Sequence, residues 1–193
     1  ITWIDVYPGA FYMGDNFNEG EADELPLHAV TLDQYKISKN EITVWQYMQY
    51  CGENGIPLPL QDFDGYDRPV INVSWEDAKK FCDWLSGKTG KKILLPTEAQ
   101  WEKAARGTYQ HRYPWGNGAP TKDYANYNSQ QSEPVGSFPN DTSTYGVQDM
   151  AGNVAEWCLD GYDPTFYTFA STYNPYNLRA SHQPAVVRGG SWT

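Results

Sequence analysis

From Gly107 to Gly146 the chain carries a turn former every few residues, at Pro114, Gly116, Asn117-Gly118, Pro120, Pro134, Gly136 and Pro139. Proline removes a backbone donor and fixes φ, and glycine opens the left-handed region, so no long helix or strand fits between these positions. Side-chain or metal contacts must replace regular hydrogen-bond ladders there. Whatever this chain folds into has an irregular middle.

Ahead of that stretch the pattern is regular. Phe11 to Met13 and Ala29 to Leu32 are β-prone runs, predicted as strands of an outer sheet. The acidic stretch Glu19 to Glu24 between them reads as a solvated loop. Thr43 to Cys51 is predicted as a helix with Thr43 as N-cap and Val44, Tyr47, Met48 and Cys51 on one face. Ser74 to Ser86 is the clearest helix: Ser74 and Asp77 form an S-x-x-D start, and Ala78, Phe81, Cys82 and Leu85 share a face. Thr97 opens a third, with Gln100 closing a capping box and Trp101, Ala104 and Ala105 facing inward. At 193 residues the chain supports one substantial core, and its 8 Trp and 15 Tyr beside 17 Gly and 13 Pro suit a loop-rich fold with an aromatic core.

The net charge of −10, with no Lys/Arg cluster, gives nucleic-acid binding no source of counterion release. No apolar run approaches the roughly 18 residues of a membrane span, and the chain reads as soluble. Cys51, Cys82 and Cys158 lack metal-ligand spacing; buried free thiols and a Cys51–Cys82 disulfide are the two readings for the first pair. His28, His111 and His182 show no triad or ligand spacing.

The chemistry concentrates in Tyr145 to Trp157 and in Arg188-Gly189-Gly190-Ser191-Trp192. Asp149 and Glu156 flank a tight turn at Gly152 that aims backbone carbonyls inward, an all-oxygen environment of the kind calcium prefers. Between Tyr162 and Tyr176, Phe166, Tyr167, Phe169 and Tyr173 lie in a Pro- and Asn-containing loop; Phe166 and Tyr173 are candidate binding residues, and the alternative is a lid packed onto the domain.

These segments resemble the formylglycine-generating enzyme, or sulfatase-modifying factor, family. The resemblance runs in order through Pro8 to Gly14, Lys39 to Thr43, Arg68 to Ala78, Leu94 to Gly107, Tyr113 to Gly116, Pro134 to Phe138 and the two segments above. It implies an α+β, C-type-lectin-like domain over residues 1–193 with short antiparallel strands and two to three short helices, lacking its C-terminal closing segment. It also implies calcium held by Asp149, the carbonyls of Gly152 and Val154, and Glu156. Asn126 and Tyr127 match a second calcium site whose remaining ligands this sequence lacks, so an ordinary turn is the favoured reading of Asn126.

The family's oxidase chemistry needs two copper(I)-binding cysteines just after the Gly-Gly-Ser turn, and neither is present up to Thr193. The expectation is a non-catalytic, calcium-stabilised binding or scaffold domain with a protein or peptide ligand, outside the cell or in the periplasm. The alternative is a copper-dependent oxidase that converts a sulfatase cysteine to formylglycine, with its catalytic cysteines beyond Thr193 and Ser191 in the oxygen pocket.

Overall fold

The structure, a computed structural model, describes residues 1–193. Six short strands pair into three two-stranded antiparallel sheets. β1 (Trp3–Val6) pairs with β4 (Tyr35–Ser38), and β2 (Gly9–Met13) with β3 (His28–Leu32), so the second pair is nested between the strands of the first in sequence. β5 (Glu156–Gly161) and β6 (Ala185–Arg188) form the third. The predicted runs lie within β2 and β3, whereas β1 and β4, with weaker alternation, emerge only in the structure.

Three helices fall where the caps place them. α1 (Val44–Asn54) starts at a complete Thr43/Gln46 capping box, and Gly55 ends it in the left-handed conformation. α2 (Trp75–Thr89) starts at Ser74, whose hydroxyl accepts from the Asp77 N–H. α3 (Glu98–Arg106) starts at a Thr97/Gln100 capping box. Met48 is only partly buried, and Tyr50, absent from the predicted face, fills the core beside Tyr47, Cys51 and Phe81.

Between α3 and β5 no regular element forms, as the turn formers require. Of 73 backbone hydrogen bonds, 37 lie outside or between regular elements, so tertiary pairing orders these loops rather than local ladders. The core around Val6, Ile37, Trp101, Ala104, Val147, Met150, Cys158 and Val186 joins α3 to four strands, β1, β4, β5 and β6, and to the irregular middle. Cys51, Cys82 and Cys158 are buried free thiols, so the Cys51–Cys82 bridge is not formed. No helix is long and apolar enough to cross a membrane.

Candidate functional site: a buried carboxylate cluster

The two segments singled out in the sequence are zipped together. The Gly152 N–H donates to the Gly189 carbonyl at 2.7 Å and the Trp192 N–H to the Asn153 carbonyl at 3.0 Å. Gly152 is required here: its φ is +102°, and a Cβ would stand 2.4 Å from the Asn126 carbonyl oxygen. Asn153, also at positive φ, is the hub. Its amide donates to Glu41 Oε2 (3.1 Å) and the Glu133 carbonyl (3.2 Å), while its Oδ1 accepts from Asn126 Nδ2 (3.0 Å) and the Glu133 N–H (2.8 Å).

Four carboxylates gather around this turn. Asp149 Oδ2 accepts from Asn40 Nδ2 (2.8 Å) and the Gly136 N–H (2.7 Å). Glu156 Oε2 accepts from Trp101 Nε1 at 3.1 Å. Glu41 accepts from Asn153 and, at 3.3 Å, from the Val154 N–H. Asp141, 1 % exposed, keeps an Oδ1 with no hydrogen-bond partner.

Burial, reinforced by the neighbouring carboxylates, pushes Glu41 well above the usual range, Asp141 up to about 8 and Glu156 to about 7. Asp149 is raised by burial, against hydrogen bonds from Asn40 and Gly136 that pull it down. Each group sits where burial disfavours its charged form; Asp149 adds to this for Glu41, Asp141 and Glu156, and Glu156 adds to it for Glu41 and Asp141.

A cation relieves that arrangement, and the donor set fits a hard one. No protein donor reaches the carbonyls of Gly152 or Val154, and Asp149 Oδ1 and Glu156 Oε1 are free of hydrogen bonds. No three acidic, histidine or cysteine side chains converge on one point. The groups left free here are carboxylate and main-chain oxygens, all hard, which would suit calcium rather than a soft metal. Glu41, Val154 and Glu156 also line a cavity of about 550 Å³ between α1, α2, β4 and β5, so they border open space.

The other predicted residues lie elsewhere. Asn126 is buried and engaged with Gln131 and Asn153, and Tyr127 donates to the Pro120 carbonyl at 3.0 Å beneath the Lys122 ammonium, 4.5 Å from its ring centroid. Glu133 is turned toward Arg68, 3.8 Å away. Phe166 and Tyr173 separate: Phe166 packs on the core beside Tyr167, while Tyr173 is 56 % exposed with its hydroxyl on Asp33 at 2.6 Å. Ser191 Oγ lies 2.7 Å from Thr193 Oγ1.

Sequence reasoning gave no role to Asn40, Glu41, Asp141 or Asn153. The Gly146 turn was the available signal for Asp141, because the hairpin there bridges Thr142 to Gln148 and so brings the residues flanking that bridge near each other.

Architecture and site define a loop-rich α+β domain of the formylglycine-generating enzyme type. The family model described as the Sulfatase-modifying factor enzyme 1-like domain matches residues 2–193, and the chain belongs to that family. It is 33% identical over 219 residues to the serine/threonine-protein kinase pkn1 of Chlamydia caviae, covering 98% of this chain and 32% of the relative. It is 29% identical over 249 residues to the formylglycine-generating enzyme of Streptomyces coelicolor, covering 95% and 76%. The structure of PvdO from Pseudomonas aeruginosa superposes with a TM-score of 0.82 at 27% identity, covering 98% of this chain and 82% of that one. The chain spans about a third of the length of the first curated relatives it matches.

Proposed function

We propose that residues 1–193 form a calcium-stabilised binding or scaffold domain without chemistry of its own. The observation that carries this reading is the set of buried carboxylates at the Gly152 turn, raised in pKa by burial and by one another, beside carbonyls that no protein donor reaches. Asp149, Glu156 and the carbonyls of Gly152 and Val154 would hold the ion. When bound, calcium supplies positive charge to these carboxylates beyond what Lys39 gives Asp149. Asn40 and Asn153 fix the loop from outside, and Trp101 fixes Glu156.

Two charged ligands and two carbonyls suit the weak affinities of extracellular modules, roughly 10⁻⁴–10⁻³ M, which agrees with a domain outside the cell or in the periplasm. Recognition of a protein or peptide falls to exposed aromatics such as Tyr173, Phe169 and Tyr176.

The cysteines support the non-catalytic reading. Cys158 is fully buried and its thiol is held well above the usual range by burial; Cys82 is pushed up to about 11. Copper(I) chemistry of the oxidase kind needs thiolates, and these three thiols are neither ionised nor paired.

Thermal melts with chelator and with calcium test the reading. About 10 mM free calcium stands ten- to a hundredfold above such a Kd, which stabilises by about 1.4–2.7 kcal/mol. For a chain of this size that is a rise in Tm of roughly 3–11 °C. Glu156→Ala removes the response, and an identical melt for the unaltered protein in chelator and in calcium refutes the proposal.

A further inference from the structure

Asp141 is not among the ligands proposed above, yet the fold sets it against them. Thr142 and Gln148 form an antiparallel bridge, closed by the Ser143 N–H on the Val147 carbonyl and the Gly146 N–H on the Ser143 carbonyl, both at 2.8 Å. Asp141 and Asp149 flank that bridge, and the two carboxylates are close enough to disfavour each other's charge. The Asp141 backbone N–H donates to the Phe138 carbonyl at 2.9 Å, which fixes this residue at the entry of the hairpin. Its Oδ1 is buried without a partner, in a side chain 1 % exposed. Such an oxygen is costly unless something donates to it.

A direct bond to the ion is not the answer, because no three carboxylates converge on one point. Calcium takes six to eight oxygens, and Asp149, Gly152, Val154 and Glu156 account for about four, so water completes its shell. Water bound to a cation needs acceptors for its protons.

We propose that Asp141 is a positioning residue for the ion: its unpartnered Oδ1 accepts a hydrogen bond from a calcium-bound water, and its charge helps balance the cation. This rests on the calcium reading given above. It gives the buried oxygen its missing donor, and it accounts for two acids held on either side of one short bridge.

The test is Asp141→Asn, which keeps the shape and removes the charge. Isothermal titration with calcium alone should show a ten- to hundredfold loss of affinity, while Tm in chelator is unchanged or higher because a like-charge contact has gone. A purely structural role predicts the reverse, a lower chelator Tm with affinity intact, and overturns the inference while leaving the calcium site standing. Should the variant not fold, terbium luminescence lifetimes of the unaltered protein in H2O and D2O decide: one or more water ligands on the ion are expected, and none overturns the inference. An unaltered protein that binds neither calcium nor terbium overturns the calcium reading and the inference together.

Discussion

Removing the carboxylate of Glu102 should be among the most damaging single changes in this protein. Glu102 lies on α3, its side chain 1% exposed. Oε1 accepts from Arg106 Nη1 (2.7 Å) and the Gly14 N–H (3.0 Å), and Oε2 accepts from Arg188 Nη2 (2.8 Å). One side chain thus joins α3, the end of β2 and the end of β6. Arg188 lies over the Trp101 ring and 3.6 Å from Glu98, and Arg106 holds the Gly14 and His111 carbonyls. Neither guanidinium can swing out to water without breaking those contacts.

Glu102→Ala leaves two buried or half-buried positive charges and a backbone donor unmatched, which costs about 3–5 kcal/mol. At 2–4 °C per kcal/mol for a chain of this size, Tm falls by roughly 6–20 °C. Urea unfolding measures the same loss as a lower midpoint with unchanged slope. A Glu102→Ala/Arg188→Met pair should lose less than the sum of its parts, because the second change removes a charge the first left stranded. A loss below about 1 kcal/mol for Glu102→Ala refutes the reasoning, since that is the scale of a solvated surface pair.

Stability in chelator should fall as pH rises from about 4 to 8. Burial pushes Asp141 up to about 8 and Glu98 and Glu156 to about 7, so the folded state holds protons that the unfolded chain releases near pH 4. The stabilisation is present below the unfolded pKa values and lost through the folded ones. Calcium should flatten the fall, and a melt series in chelator that rises across this window contradicts the account. At the aromatic loop, Tyr173→Ala should change stability by less than about 0.5 kcal/mol, whereas Phe166→Ala, which strips a ring from the core edge, should cost about 1–3 kcal/mol; urea midpoints in the opposite order overturn that division.

The helices were legible because their starts are chemical. Thr43, Ser74 and Thr97 bond the N–H three residues on in the structure, as their side chains suggest in the sequence. The interior of α3 was not legible. Only Trp101, Ala104 and Ala105 were predicted to face inward, yet the helix is buried on nearly every side, Glu98, Glu102 and Lys103 included, and amphipathic periodicity carries no signal for such a helix. Lys103 is fully buried with its ammonium on the Tyr7 and Gly9 carbonyls, a partner choice set by tertiary contact alone. Asp149, Gly152 and Glu156 were legible as a local motif. Glu41 was not, because it reaches the cluster from 112 residues away through Asn153.

The signature residues themselves do structural work in this chain, which limits what a motif match says about chemistry. Trp157 donates to the Val73 carbonyl (2.9 Å), Trp75 to the Cys158 carbonyl (2.8 Å) and Trp101 to Glu156 (3.1 Å), so three tryptophans from three matched segments pin α2, α3 and β5 together through their polar atoms. Asn153 and the Gly152–Gly189 pairing then fasten the last segments to the irregular middle. In this chain each of these bonds ties one element or loop to another, whatever the surface does. Shared motif residues therefore identify the fold with little bearing on activity, and what distinguishes one member from another must lie in groups the fold does not consume. Here those groups are the orphaned oxygen of Asp141 and the exposed rings around Tyr173.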